Sequence, residues 1–313
     1  MRRSKLVIGT RSSALALWQS EFVKAQLEGL FPGVLVELKH IITQGDKTQS
    51  SNAAIPAIGG KGLFTAELED ALREREIDLA VHSLKDLPTA EVPEFTLGAI
   101  TQRAAIEDAF ISRSGKKLME LPAGSAVGTS SLRRASQILR ARPDLRIEHI
   151  RGNVDSRLRK LRAEGGPYDA IVLAKAGLDR LGLQDQVTEC IAFDHMLPAP
   201  GQGALAVQCR SDDAELLEML GRFHDPLTAA EVCAERAFLA ALEAGCNTPV
   251  GALAKIERRG DKQVLVFRGR CLSPDGTKAL EVAGEASVER AADLGNEMAA
   301  SIRAQGFDSL AHS

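Results

Sequence analysis

Leu6-Val-Ile-Gly-Thr-Arg-Ser-Ser-Ala-Leu-Ala-Leu-Trp18 decides the reading of the fold. Leu6 to Gly9 has the length and apolar character of a short buried strand, and Leu15, Trp18 and Phe22 then recur at helical spacing. The same form returns at Val127-Gly-Thr-Ser-Ser-Leu132, which enters a helix bearing Arg133, Arg134 and Ile138. A second pair, Ile77-Asp-Leu-Ala-Val81 and Tyr168-Asp-Ala-Ile-Val172, corresponds in the same order, although the differing distances between them rule out a tandem repeat. Duplication predicts two similar α/β lobes with a cleft between them. Chance likeness among short strand–helix junctions is the alternative.

Working outward, residues 34–42 alternate as a strand, 63–75 carry Leu63, Leu68 and Leu72 at helical spacing, and Asp78 to His82 reads as a further strand. Strands separated by helices predict a parallel or mixed α/β sheet. Leu197-Pro-Ala-Pro-Gly-Gln-Gly-Ala-Leu-Ala-Val-Gln-Cys-Arg210 reads as a Pro/Gly turn and a strand that returns the chain to the first lobe. From about Pro226 the pattern becomes a helix over 227–243, three strands parted by turns at Arg259-Gly-Asp261 and Pro274-Asp-Gly276, and a last helix from about 287. The expected organisation is α/β, with similar lobes at 1–101 plus about 200–221 and at 102–199, and a small C-terminal α+β domain at 226–313.

Composition narrows the function. The 313 residues are 44% apolar and 26% charged, ordinary values for a globular protein. A net charge of -3 gives no general attraction to nucleic acid, so any basic site is a local concentration. Aromatic residues make up 4% with one tyrosine, which leaves no platform for base stacking and excludes a nucleic-acid partner. The five cysteines, at 190, 209, 233, 246 and 271, are odd in number and lack CxxC spacing, as expected in a reducing compartment. The apolar run before Thr10 is too short for a signal-peptide core, and no later run approaches membrane-spanning length; a cytoplasmic protein without a membrane partner is expected.

Gly201-Gln-Gly-Ala-Leu-Ala206 satisfies GxGxxA, but prolines precede it and a strand follows, the opposite of a dinucleotide fingerprint. The six histidines are scattered without metal-site spacing, so no metal is expected. The arginines are more informative. Arg11, Arg133, Arg134, Arg151 and Arg157 stand beside Ser, Thr, Gly and Asn where strands give way to helices. Helix N-termini, hydroxyl caps and guanidinium forks together bind anions, and a small polycarboxylate suits them best. His82-Ser-Leu-Lys-Asp-Leu-Pro88 places Lys85 and Asp86 at the carboxyl end of a strand, where open α/β folds bind ligands. Cys246, in Ala244-Gly-Cys-Asn-Thr-Pro-Val-Gly251, sits in a loop after a helix, either a packing residue or a point of covalent attachment. A solute-binding protein and a phosphate-binding enzyme share parts of this pattern.

Gly9-Thr-Arg-Ser-Ser-Ala-Leu-Ala-Leu17, Gly60-Lys-Gly-Leu-Phe64, Val81 to Pro88, Val127-Gly-Thr-Ser-Ser-Leu-Arg-Arg134, Arg151-Gly-Asn-Val154 and Gly245-Cys246, in that order, resemble the porphobilinogen deaminase family across nearly the whole chain. The resemblance implies two lobes like type II periplasmic binding proteins and a third domain holding a dipyrromethane cofactor through a thioether to Cys246. It implies head-to-tail condensation of porphobilinogen, with loss of ammonia, to hydroxymethylbilane by a monomeric enzyme. Asp86 matches the catalytic aspartate; Lys85, Ser83, Ser13, Thr129, Ser131, Arg133 and Arg134 match cofactor contacts; Arg11, Arg151, Arg157, Arg180, Lys61 and Phe64 match substrate contacts. Ala57 and Ala66 stand where many members carry lysine.

Overall fold

A computed structural model describes residues 3–43, 65–243 and 249–310. The chain forms two compact units, Met1–Ala104 with Gly203–Ala229, and Ala105–Gln202 with Ala230–Ser313.

The first unit alternates β1 (Lys5–Thr10), α1 (Ala14–Leu30), β2 (Leu35–His40), α2 (Ala66–Arg73), β3 (Leu79–Ser83) and β4 (Phe95–Ile100). After the second lobe the chain returns as β10 (Leu205–Arg210), as the Pro/Gly turn predicted. The sheet order is β2-β1-β3-β10-β4; β1 runs parallel to β2 and β3, and β10 antiparallel to β3 and β4. Leu6 and Ile8 of β1 are fully buried, as the apolar run requires. The helix predicted after Ser13 is present, but its buried face is Gln19, Ser20, Val23 and Leu27, whereas Trp18 is exposed and stacks on Phe22. The aromatic spacing thus located the helix, and of its aromatics only Phe22 packs partly against the core.

In the second unit come β5 (Asp108–Ser112), β6 (Ala126–Gly128), α3 (Leu132–Ala141), β7 (Arg146–Glu148), α4 (Val154–Arg162), β8 (Ala170–Ala174), α5 (Lys175–Arg180) and β9 (Glu189–Cys190). Their order, β7-β6-β8-β5-β9, and strand directions reproduce the first sheet. The likeness extends to single bonds. Val7 N donates to Asp78 Oδ2 at 2.8 Å while Asp78 N donates to Val7 O, and Ala126 N donates to Asp169 Oδ2 at 2.7 Å while Asp169 N donates to Ala126 O. A Cβ on Gly9 would strike Ile77, and one on Gly128 would strike Tyr168, the residue before the aspartate in each lobe. Ser13 and Ser131 each cap the following helix, accepting from Ala16 N and Arg134 N. Matching topology and matching buried bonds bear out two similar lobes.

The same unit ends in α7 (Pro226–Ala241), which starts in the first unit, then β11 (Val250–Arg259), β12 (Lys262–Leu272), β13 (Ala279–Ser287) and α8 (Ala291–Ala304); the strands form an antiparallel sheet in the order β11-β12-β13. Helix α6 (Ala214–Gly221) precedes them. Phe238, Phe267, Leu294 and Ile302 fill the core beneath this small sheet. Its turn at Gly276, φ +75°, lies on α3, where an added Cβ would come within 2.3 Å of Ser136 O and 2.8 Å of Arg140 N. Both obstacles are backbone. Gly276→Ala is therefore expected to lower stability by about 2–4 kcal/mol, combining left-handed strain with overpacking, as read from chemical denaturation.

Candidate active site

At the end of β3 the chain makes a single 3-10 turn, Leu84–Asp86. Leu84 is fully buried, its N–H donating to Ala204 O at 3.1 Å, and Leu87 is buried behind it. These anchors turn Asp86 to solvent and leave Lys85 half-buried. Ser83, just before the turn, accepts a 2.8 Å bond from Nε2 of buried Gln19. Arg11 lies half-buried at the end of β1, near enough for its charge to act on His82.

Hydroxyl directions sort the residues at these strand ends. Ser13, Ser83, Thr129 and Ser131 act as acceptors, from Ala16 N, Gln19 Nε2, Ser131 N and Arg134 N respectively, so those bonds leave each hydroxyl hydrogen unused. Thr10 and Ser130 instead donate to carbonyls, Thr10 to Arg11 O and Ala16 O, Ser130 to Ile150 O at 2.6 Å. Acceptor hydroxyls beside cationic side chains suit an anionic ligand, and an exposed carboxylate suits N–H donors; a dipyrromethane presents carboxylates and pyrrole N–H groups together. The donor set fits.

In the second lobe the Arg151-Gly-Asn153 loop is held from α4: Asn153 caps it through Ser156 N, Arg157 Nε donates to Gly152 O at 2.8 Å, and Lys160 Nζ donates to Arg151 O at 3.1 Å. Arg151 and Arg157 are half-buried. Arg180, at the end of α5, is held down to about 10 by burial, with Asp179 opposing, and remains cationic near neutrality.

Arg133 and Arg134 turn inward. Arg133 Nη1 donates to Asp108 Oδ2 at 2.6 Å and to Leu197 O at 2.7 Å. Arg134 donates through Nε and Nη2 to Asp108 Oδ1, at 2.9 and 2.7 Å, and through Nη1 to Val172 O. Asp108 is 1% exposed and also accepts from Gln202 Nε2. Burial pushes the Arg133 guanidinium below its ordinary range; Asp108 opposes this and Arg134 adds to it. The described bonds thus engage all the Arg134 nitrogens but only Nη1 of Arg133. Asp108, Gln19 and Gln202 carried no functional signal in the sequence, because a polar side chain reveals its partner only after folding.

Lys61, Phe64 and Cys246 lie outside the described residues, as does Ala57; Ala66 begins α2 and is exposed. Among the described residues no group of His, Cys, Asp and Glu is placed to hold a metal ion, and no helix is long and apolar enough to cross a membrane.

Fold and strand ends define an α/β protein of two similar lobes, each with cationic side chains and hydroxyls where its parallel strands finish. Residues 6–218 match the family model described as porphobilinogen deaminase, dipyromethane cofactor binding domain, and residues 229–304 match porphobilinogen deaminase, C-terminal domain. The chain belongs to the porphobilinogen deaminase family. It is 44% identical over 304 residues to porphobilinogen deaminase of Desulforamulus reducens, covering 97% of this chain and 96% of that one. With the enzyme of Shouchella clausii it shares 47% over 308 residues, 98% of this chain and 96% of the other. Among solved structures, the periplasmic aliphatic sulphonate binding protein SsuA of Escherichia coli matches with a TM-score of 0.37 and 14% identity over 77% of this chain and 71% of that one, too distant a likeness to argue from.

Proposed function

We propose that Asp86 is the catalytic carboxylate of this chain and that Cys246 carries its dipyrromethane cofactor. The reaction is the condensation of four porphobilinogen molecules head to tail into hydroxymethylbilane, with ammonia released from each aminomethyl group and one water taken up to supply the terminal hydroxyl when the chain is released. Each addition breaks a C–N bond, forms a C–C bond and removes a proton from the attacked pyrrole carbon. When bound, the cofactor supplies the free pyrrole α-carbon on which the chain starts.

The observation that carries the reading is the anchored Ser83–Asp86 turn, which presents an exposed carboxylate beside a cation and a hydroxyl. Asp86 accepts pyrrole N–H bonds and offsets the positive charge left on porphobilinogen when ammonia departs, so its part is electrostatic stabilisation. Lys85 and the hydroxyls of Ser83, Ser13, Thr129 and Ser131 bind cofactor carboxylates. Arg11, Arg151, Arg157 and Arg180 bind the acetate and propionate groups that each addition brings, with Lys61 and Phe64 completing the substrate contacts. Arg133 joins the cofactor contacts, and Arg134 acts through Asp108, which its Nε and Nη2 grip. Three separate sheets support a reading of three domains, at 1–101 with about 200–221, 102–199 and 226–313, and we take the enzyme to be monomeric and cytoplasmic.

Intact mass under denaturing conditions tests the attachment. Wild type should carry an adduct of two porphobilinogen units less two ammonias, and Cys246→Ser should carry none; active wild type without the adduct overturns the assignment.

A further inference from the structure

His82 is buried at the last inward position of β3, immediately before the catalytic turn. Its Nε2 lies 3.1 Å from Gln208 Oε1, and Gln208 Nε2 donates at 3.0 Å to Glu69 Oε1. A carboxylate only accepts, so the Gln208 amide must turn its oxygen toward His82, and His82 Nε2 must carry the hydrogen. Burial holds the imidazole down to about 4, the Gln208 bond opposing and Arg11 acting in the same sense, so the ring is neutral and Nδ1 is bare.

The duplicated fold supplies an internal comparison. Because Asp78 and Asp169 make the same bonds, His82 corresponds to Leu173. His82 faces Ala206 across the sheet, with Gln208 diagonal to it; Leu173 faces Ala109, with Ile111 diagonal to it. Leu173 and Ile111 belong to one apolar cluster. The fold therefore accepts an apolar pair here. A buried polar pair where an apolar one suffices adds desolvation without need, unless function uses it. It occurs in the lobe that carries Lys85 and Asp86, under the influence of Arg11.

Resting on the function proposed above, we infer that His82 is a positioning residue: locked as the Nε2–H tautomer by Gln208 and Glu69, it fixes the end of β3 and with it the Ser83–Asp86 turn. A displacement of about 1 Å in such a constellation costs on the order of a hundredfold in rate.

The test rebuilds the first lobe with the second lobe's pair, His82→Leu/Gln208→Ile. This variant should melt no lower than wild type, yet turn over porphobilinogen with kcat reduced by about ten- to a hundredfold. His82→Gln, which keeps a neutral donor for Gln208, should recover much of the loss and also serves if the double variant does not fold. A folded double variant with kcat within about twofold of wild type overturns the inference, as does a lower melting temperature with unchanged kcat. Imidazole ¹⁵N NMR of the holoenzyme reads the tautomer without an activity assay: Nδ1–H or a charged ring at neutral pH overturns the lock. Wild type assayed alongside separates the two ideas, since a wild type that does not consume porphobilinogen sinks the proposed function, whereas an active wild type with unaffected variants sinks only the role of His82.

Discussion

Asp86→Ala is expected to fold, acquire its cofactor and lose about two to three orders of magnitude in kcat, the usual penalty for removing a group aimed at charge developing in a transition state. The side chain is exposed, and the turn is held by Leu84 and Leu87, so truncation creates no cavity and leaves no buried partner stranded. Surface changes of this kind shift stability by about 0.5 kcal/mol or less. Stability and turnover should therefore separate cleanly. Asp86→Asn sharpens the test, because the amide keeps a hydrogen-bond acceptor and loses the charge. If electrostatic stabilisation dominates, Asn should be nearly as impaired as Ala; if acceptance of pyrrole N–H bonds dominates, Asn should retain substantial activity. The measurements are steady-state turnover of porphobilinogen, a thermal melt, and the intact mass that reports cofactor loading. Turnover near wild type in a loaded Asp86→Ala enzyme would remove this residue from the mechanism.

The largest effect on stability is expected at Asp108. Its carboxylate is buried between two buried guanidiniums and is the only acid that the described bonds bring to either of them. Removing one member of a buried ionic cluster costs about 3–5 kcal/mol, since the remaining charge is left without compensation. Asp108→Ala strands two cations and belongs at the upper end of that range. Taking out the whole cluster is a different experiment. Aligning the caps Ser13 and Ser131 makes Leu15 and Ala16 the counterparts of Arg133 and Arg134, and the strand registers make Leu205 the counterpart of Asp108. The first lobe thus shows the same fold position without charges. Asp108→Leu/Arg133→Leu/Arg134→Ala is accordingly expected to regain most of the stability that Asp108→Ala loses, while impairing cofactor acquisition. Denaturant midpoints with unchanged slope measure the first quantity and intact mass the second. A loss below about 1 kcal/mol in Asp108→Ala would show that the cluster is not the electrostatic unit its geometry describes.

Those two lobes also show what could be read in advance. The strand–turn–helix runs at Leu6 and Val127 were legible because strand periodicity, a capping serine and a tight glycine act within a few residues of each other. The turns at Arg259-Gly-Asp261 and Pro274-Asp-Gly276, and the exposed place of Asp86 at a strand end, were legible for the same local reason. The inward face of α1 was not, because an aromatic stripe says that a helix is amphipathic and not which neighbour covers it.

Sequence alone therefore determined the secondary elements, the duplicated α/β plan and the ordered motifs of the family, all of which depend on short-range periodicity and residue type. Only the tertiary structure decided which polar groups are used up and which are left to bind. Asp108 meets arginines 25 and 26 residues away, and His82 meets Gln208 across 126 residues. Such pairings exist only once β5 and β10 have crossed into their sheets, because the low dielectric that makes them strong is itself a product of folding.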